Sequence, residues 1–484
     1  MRLTRLSLLL LFLFTAAVVQ AAPRPNILFI LTEDQGPHMS FLETPGVQTP
    51  SMDSIATGGV YFREAFVAYP VCSASKAAIY TGVHNHVNGL QGNTYNFFKP
   101  AAQVTVAERN RPLSRRSFIR DAYPTLVEML HAAGYYSATT HKLHVLPNEK
   151  FPYDEFRRHM DSQEVVDFTR RAKERGKPWF LFYNIGAPHR PFRNSDEIEI
   201  GVDPDEVVPP AFLPDTPVIR RDWAEYLDFC EVADLSVGEA LEGLRRSGDE
   251  DNTIVIFMGD HGPCFQRGKM SLNDLGLRVP LAIRGPGIRS GVVSDGLVSE
   301  LDLMPTLLDF LDIQPPEVQH GISLRGLLEG TAGARGHDLI FAEIAHQVQQ
   351  IDNGMQERSV YDGEYHLIYR EGLRKPRTVN ADLKDWKPWR NRSYAETVKQ
   401  KGSFPLGFEL LSQIDPQSLG GKPPKFELYN TKNDPDELMN LANDPACRAQ
   451  RDRLCNALAK WIERTNDRAV SVDKLLEGLA DRDG

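Results

Sequence analysis

The sequence predicts an α/β fold in which a large mixed, mostly parallel sheet lies between helices and is followed by a smaller α+β subdomain. Three continuous apolar runs, at residues 26–31, 179–184 and 253–258, are typical of parallel strands buried on both faces. Segments with apolar residues at helical spacing separate these runs, as in α/β proteins. A chain of 484 residues is also long enough to form more than one core.

The other elements are predicted from apolar spacing, terminal glycines and short apolar runs. In chain order they are a helix at 123–134, a strand at 135–139, helices at 161–175 and 222–247, a strand beginning at 278, a helix at 300–308, a hairpin at 361–369, a strand at 426–430 and a helix at 445–467. The arginine-rich segment 99–120 lacks this periodicity and is predicted to be a surface loop.

A Gly- and Pro-rich stretch at 314–337 predicts the boundary between the two domains. The expected division is a signal peptide at 1–21, the large domain at 22–335 and the α+β subdomain at 336–484. Arg2 and Arg5 precede an apolar run at 6–19, and small residues precede a cleavage point, which is the pattern of a secretory signal peptide. The sequence therefore predicts export to the periplasm or the medium, without a transmembrane span.

Charge and cysteine content narrow the class of protein further. The formal net charge of −10 and the pI near 5.8 argue against nucleic acid as the main partner. The cysteines are few and odd in number, and Cys447 and Cys455 lie eight positions apart in one predicted helix, too far for a bridge. No disulfide framework is expected.

A pair of polar residues with at least one carboxylate follows each of two predicted buried strands. Glu33-Asp34 comes after the first strand, and Asp260-His261 comes after the strand at 253–258. The carboxyl ends of strands are where open α/β sheets bind ligands, and carboxylates suit Ca²⁺ or Mg²⁺. For Glu33-Asp34 seen alone, a solvated turn is favoured over a metal site.

The segment 71–82 is the part of the chain around which the other candidates are arranged. Cys72 precedes small and hydroxyl-bearing residues, and Gly82 ends the segment, which predicts a short helix with Cys72 at its N-terminus. Backbone N–H groups at that position favour anions. The alternative for an isolated cysteine is a buried structural role.

This segment resembles the signature of the type I sulfatases of the alkaline phosphatase superfamily, Cys-x-Pro/Ala-Ser-x-x-x-x-x-Thr-Gly. The matching residues are Cys72, Ala74, Ser75, Thr81 and Gly82. The resemblance implies an alkaline-phosphatase-like fold and oxidation of Cys72 to formylglycine, whose aldehyde hydrate is the nucleophile. It also implies a maturation partner, either a formylglycine-generating enzyme or an anaerobic sulfatase-maturating enzyme. Lys76 stands where the family has an arginine.

The family resemblance also implies a metal site. Its ligands are expected to be Glu33, Asp34, converted Cys72, Asp260 and His261, and the metal is expected to be Ca²⁺, with Mg²⁺ as the alternative. Glu33 is one methylene longer than the aspartate that the family carries. Because imidazole is a nitrogen donor, His261 could instead lie just beyond the metal.

Basic residues that match the family pattern complete the expected site. Lys142 and His144 fit the spacing of its Gly-Lys-x-His turn, and Lys269 precedes an Arg-Val-Pro strand. In the family the lysines neutralise the sulfuryl oxygens and the histidine positions the hydrate. His189, in the Pro-His-Arg-Pro turn, is expected to protonate the leaving oxygen or amine, and Arg190 to bind substrate with it.

The resemblance implies hydrolysis of sulfate esters or sulfamates of a sulfated carbohydrate. Within the superfamily, Arg358-Ser359-Val360, Lys460-Trp461 and Pro188-His189-Arg190 look most like the heparan N-sulfatases, which act on N-sulfoglucosamine. Two other functions remain open at this point. One is a phosphatase or phosphonate hydrolase of the same superfamily, and the other is a non-catalytic protein that binds sulfated glycans.

Overall fold

The computed structural model describes residues 24–192, 201–345, 356–372 and 392–480. The predicted signal peptide at 1–21 lies outside these ranges. Within them, no helix combines the length and the apolar character needed to cross a bilayer.

The predicted fold class is confirmed. The strands are β1 (Asn26–Thr32), β2 (Val60–Phe62), β3 (Ala65–Phe66), β4 (Tyr136–Thr140), β5 (Glu155–Arg157), β6 (Trp179–Ile185), β7 (Thr253–Gly259), β8 (Leu281–Arg284), β9 (Val292–Ser294), β10 (Val298–Ser299), β11 (Ile340–Ile344), β12 (Gln356–Tyr361), β13 (Tyr365–Glu371) and β14 (Phe426–Asn430). Eight of them form one sheet in the order β5-β4-β6-β1-β7-β8-β2-β9. All neighbours in it are parallel except β8, which is antiparallel to β7 and β2.

Helices pack on both faces of this sheet and also against the C-terminal sheet. They are α1 (Pro50–Gly58), α2 (Cys72–Thr81), α3 (Asn85–Asn88), α4 (Val106–Arg109), α5 (Pro112–Arg116), α6 (Leu126–Ala132), α7 (Ser162–Glu174), α8 (Pro217–Ser247), α9 (Asp274–Leu277), α10 (Leu303–Phe310), α11 (Arg325–Glu329), α12 (Arg392–Lys399), α13 (Pro405–Ile414), α14 (Pro416–Leu419), α15 (Arg448–Thr465) and α16 (Val472–Ala480).

Alternate residues of the central strands enter two different cores. Ile27 and Phe29 of β1 pack in one cluster with α2 and α10, whereas Leu28 and Ile30 pack in the other with α1, α7 and α8. This arrangement explains why β1 and β7 are apolar throughout. The second sheet is antiparallel, in the order β11-β12-β13-β14, and α15 packs against it through residues such as Leu458.

Two predicted elements differ from the structure. The longest helix begins at Pro217 rather than at 222, because Thr216 caps it and proline is favoured at a first helical position. The segment predicted to be a loop at 99–120 contains α4 and α5, since Thr105 and Glu108 form a capping box and Pro112 starts the next turn. None of the five cysteines forms a disulfide.

Candidate active site

Glu33-Asp34 and Asp260-His261 meet because β1 and β7 are adjacent and parallel. Both pairs follow the carboxyl ends of their strands, and the Asp260 amide donates to the Thr32 carbonyl at 2.9 Å. The Asp34 amide in turn donates to Asp260 Oδ1 at 2.8 Å. Glu33, Asp34, Asp260 and His261 are all fully buried. The structure therefore brings together four of the five residues that the sequence suggested as metal ligands.

Cys72 reaches this group from the N-terminus of α2. Its Sγ lies 3.2 Å from His261 Nε2 and 3.9 Å from Asp34 Oδ1. Burial raises the pKa of the Cys72 thiol well above its ordinary value, although Lys269 and Lys142 act in the opposite direction. Residue 72 is therefore a protonated thiol at neutral pH, and a protonated thiol is a weak nucleophile.

Three lysines neutralise the three carboxylates. Lys76 Nζ contacts Glu33 and lies 3.0 Å from Asp260 Oδ2, and Lys142 Nζ contacts the other oxygen of Glu33. Lys269 Nζ lies 3.0 Å from both oxygens of Asp34.

Nearby basic groups keep Glu33 and Asp34 ionised. Burial alone would raise the pKa of Glu33, but Lys142 and Lys76 outweigh it and leave that pKa well below its usual value. The pKa of Asp34 falls to about 2, because His189 and Lys269 outweigh its burial. Glu33 and Asp34 therefore remain ionised across the neutral range.

His189 lies at the accessible side of the cluster, where its side chain is 30% exposed. Its Nδ1 donates to the Arg190 carbonyl, which leaves Nε2 directed at Lys269 Nζ, 3.1 Å away, and at Asp34 Oδ2, 3.9 Å away. The ring nitrogen that faces the site is therefore the one that can exchange a proton with a bound molecule.

The turn that carries Lys142 and His144 has an unusual backbone. His141 and His144 have φ angles of 60° and 53°, in the left-handed region that glycine adopts most easily. The side-chain oxygen of Asn96 accepts from the Leu143 and His144 amides at 3.2 and 3.1 Å and so holds the turn. Among the described residues, the buried Nδ1 of His144 has no hydrogen-bond partner.

Arg190 is placed differently from the other candidates. Its guanidinium is 3% exposed and donates to both oxygens of Asp222 at 2.9 Å and to the Cys264 carbonyl at 2.9 Å. It also packs against the rings of Phe192 and Phe265. This geometry favours a supporting role for Arg190 behind His189, and its assignment to substrate binding stays a prediction.

The donors at the strand ends fit a divalent cation. Ligand atoms of Asp34, Cys72 and His261 lie within 4.8 Å of one another, and so do those of Glu33, Cys72 and Asp260. Carboxylate oxygens are the donors that Ca²⁺ and Mg²⁺ prefer. His261 donates Nδ1–H to the Gly262 carbonyl at 2.9 Å, which leaves Nε2 as an acceptor towards the cluster, the orientation usual for a ligating histidine.

Sequence reasoning did not identify three supporting residues. Asn96 holds the 141–144 turn, Asp222 holds Arg190, and Glu300 accepts from the Ser75 hydroxyl at 2.7 Å and the Ala68 amide at 2.8 Å. Each is distant in sequence from its partner, and none lies in a motif. The sequence alone carries no signal that would have found them.

Comparison with known proteins agrees with this geometry. A family model described as Sulfatase matches residues 25–313, more than half of the chain. The N-sulphoglucosamine sulphohydrolase of Homo sapiens is 27% identical over 96% of this chain and 95% of the human protein. An ulvan-active sulfatase of Formosa agariphila is 28% identical over 94% of this chain and 77% of the relative.

Solved structures with similar folds include a 2-O GAG sulfatase and a phosphonate monoester hydrolase from Silicibacter pomeroyi. The first has a TM-score of 0.64 and 20% identity, and covers 93% of this chain and 94% of its own. The second has a TM-score of 0.64 and 18% identity, and covers 93% of this chain and 97% of its own. At these identities the likeness concerns the fold. Taken with the relatives, the family match establishes that the chain belongs to the sulfatase family, enzymes that hydrolyse sulfuric esters.

Proposed function

We propose that this protein hydrolyses a sulfate ester or sulfamate of a sulfated saccharide, with residue 72 converted from cysteine to formylglycine. The observation that carries the proposal is the position of Cys72 Sγ, 3.9 Å from Asp34 Oδ1 and 3.2 Å from His261 Nε2, beside the lysines of the site. A nucleophile there faces the groups that a sulfuryl transfer requires.

The thiol atom occupies the position that a hydroxyl of the formylglycine hydrate would take. The hydrate supplies an oxygen nucleophile, and its second hydroxyl allows sulfate to be expelled with return of the aldehyde. One observation supports this conversion: a buried, protonated Cys72 thiol is a weak nucleophile. His144, whose buried Nδ1 lacks a partner among the described residues, is the residue proposed to orient the hydrate.

Lys142 and Lys269 are suited to bind the sulfuryl oxygens. Each now contacts a carboxylate, Glu33 and Asp34 respectively, so the site is close to electrically neutral without a metal ion. A divalent cation held by Glu33, Asp34, Asp260 and His261 would leave the lysines free to contact an anion. It would add the positive charge that attracts a sulfate and polarises the nucleophile. We propose Ca²⁺ for this role, with Mg²⁺ as the alternative.

His189 is the proposed proton donor to the leaving group. Its Nδ1 is fixed by the Arg190 carbonyl, so that Nε2 is the nitrogen presented to substrate. A proton on Nε2 would pass to the departing sugar oxygen, or to the amine if the substrate is a sulfamate. The identity of the human relative favours N-sulfoglucosamine of heparan or heparin as the first substrate to test. We further propose that the protein is exported after removal of residues 1–21, which leaves 22–335 as the catalytic domain and 336–484 as the α+β subdomain.

The proposal is tested by measuring sulfate release from a panel of N- and O-sulfated mono- and disaccharides. Matured wild-type protein should release sulfate from at least one of them, and Cys72→Ala should abolish that release while its thermal midpoint stays close to that of the wild type. Assays of the same samples on a phosphate monoester and a phosphonate monoester distinguish a sulfatase from a phosphatase or phosphonate hydrolase. Turnover of those esters without any sulfate release would overturn the proposal.

A further inference from the structure

A cavity of about 510 Å³ lies at the same edge of the large sheet as the candidate active site. Its walls come from the loop after β1, from residues 208–212, from the loop after β7, and from residues 435–437 after β14. It therefore lies at the junction between the large sheet and the C-terminal subdomain, a common location for ligand sites, and its volume falls within the usual range.

Two segments of chain link the cavity closely to the candidate active site. Arg267 lines the cavity and Lys269 binds Asp34, and two residues of chain span at most about 7 Å. Pro37 and His38 line the cavity and follow shortly after the Glu33-Asp34 pair. The same two loops therefore contribute residues both to this cavity and to the candidate active site.

Arg267 contributes a buried polar side chain to the wall of the cavity. Its side chain is 4% exposed, and one of its terminal nitrogens donates to the Glu437 carbonyl at 2.7 Å. Within the described part of the chain, the buried Nε of Arg267 has no hydrogen-bond partner. A buried donor without a partner is costly unless a ligand or solvent satisfies it.

The backbone at the cavity has the same unusual conformation as the active site. Glu43, Arg267 and Glu437 all line the cavity, and their φ angles are 58°, 63° and 54°. Asp34, His141 and His144 at the candidate active site also have φ angles in the left-handed region. Non-glycine residues in this region are uncommon and tend to occur where function requires them.

The cavity is lined by side chains of a different charge from those expected to bind sulfate in the candidate active site. It is lined by carboxylates, among them exposed Glu43 and half-buried Asp436, whose Oδ2 accepts from the Ala211 amide at 3.1 Å. Its apolar wall consists of prolines, two aromatic side chains and aliphatic side chains such as that of Leu42. Carboxylates would repel a second sulfate, but they accept hydrogen bonds from hydroxyl groups, while proline and leucine offer flat contact to the C–H face of a sugar ring.

We infer that this cavity binds an unsulfated, hydroxyl-rich sugar ring that adjoins the sulfated ring of the substrate. The inference rests on the proposed saccharide sulfatase function and narrows it, because it makes an oligosaccharide rather than a monosaccharide the preferred substrate. Glu43 and Asp436 accept from the hydroxyls of the ring, and Arg267 donates to them.

The test measures direct binding of desulfated tetrasaccharides by titration calorimetry. The probes are tetrasaccharides prepared from desulfated heparin, chondroitin and ulvan, and the proteins are the wild type, Glu43→Gln, Asp436→Asn and a control, Asp251→Asn. Asp251 is an exposed acid just before β7, at the opposite edge of the sheet. The Asp436→Asn side chain keeps an oxygen for the Ala211 amide, so that variant should retain the fold.

Wild-type protein should bind at least one of the three probes. Glu43→Gln and Asp436→Asn should each weaken that binding by about tenfold, whereas Asp251→Asn should not change it. Failure of the wild type to bind any probe, or equal binding by all four proteins, would overturn the inference. Failure of the saccharide sulfatase function has a separate signature, since the wild type would then release no sulfate from the panel described above.

Discussion

Lys76 and Glu33 are the two site residues that depart from the sulfatase pattern, and they contact each other. Lysine is shorter than the expected arginine and lacks its planar fork, whereas glutamate is longer than the expected aspartate. The Lys76 ammonium nevertheless reaches both Glu33 and Asp260, and it is fully buried between them. The longer acid therefore compensates for the shorter base.

This compensation is testable with a double-mutant cycle. Glu33→Asp should withdraw the carboxylate from Lys76, and Lys76→Arg should crowd the longer glutamate, so each change alone should lower kcat/KM by about tenfold or more. The double variant should recover most of the loss, with a coupling energy of about 2 kcal/mol. Sulfate release measured for all four proteins gives the cycle, and additive losses would count against it.

At the scale of single elements, the loop after β7 is fixed by close backbone contacts. A Cβ atom on Gly262 would lie 1.7 Å from the Leu275 carbonyl oxygen, and the Gly262 amide donates to the Gly276 carbonyl at 3.0 Å. Gly262 follows His261 directly. Its lack of a side chain therefore sets the distance between His261 and Cys72.

Gly262→Ala should destabilise the protein by about 3 kcal/mol, because the loop must move away from residue 275. It should also lower kcat strongly, since His261 moves with the loop. Gly402→Ala is the matched control, because a Cβ at residue 402 meets nothing within 4 Å. Denaturant unfolding and sulfate release of the two variants make the comparison. Similar behaviour of both would show that the loop tolerates movement.

The elements differ in how well the sequence predicted them. Apolar runs predicted the bounds of β1, β6 and β7 to within one residue. These strands are buried on both faces, so their sequences are continuously apolar and their ends are easy to locate. Gly82 ends α2 as expected, with φ at 61°. Helices α12 and α13 were not predicted at all. The contacts of Asn96 and Asp222 depend on how loops far apart in sequence fold together, which local pattern cannot reveal.

At the scale of the whole molecule, a buried ionic network joins the segment after α2 to the C-terminal sheet. Glu343 of β11 accepts from the His86 amide and ring at 3.0 Å and lies 3.8 Å from Arg358 of β12. Arg358 also donates to Asp467 at 2.6 Å. Burial raises the pKa of Glu343, but His86 and Arg358 outweigh it, so that pKa lies below its usual value of 4.5.

A depressed pKa predicts how stability depends on pH. The ionised Glu343 carboxylate contributes its full stabilisation above pH 4.5, and the contribution falls by about 1.4 kcal/mol for each pH unit below that value. Glu343→Gln should therefore cost about 3 kcal/mol at pH 7, because Arg358 loses a buried partner. The difference from the wild type should shrink as the pH falls below 4.5. Denaturant unfolding at several pH values measures it, and a difference that is independent of pH would contradict the assignment.

The central claim is that residue 72 of the active protein is formylglycine, held among Asp34, Asp260, Lys142 and Lys269. Mass analysis of the tryptic peptide 64–76, prepared from protein made in its native host, tests this claim most directly. The peptide should lack the thiol at residue 72, carry the mass of an aldehyde in its place and react with a hydrazine probe. An intact, alkylatable Cys72 in every molecule of a preparation that releases sulfate would contradict the account.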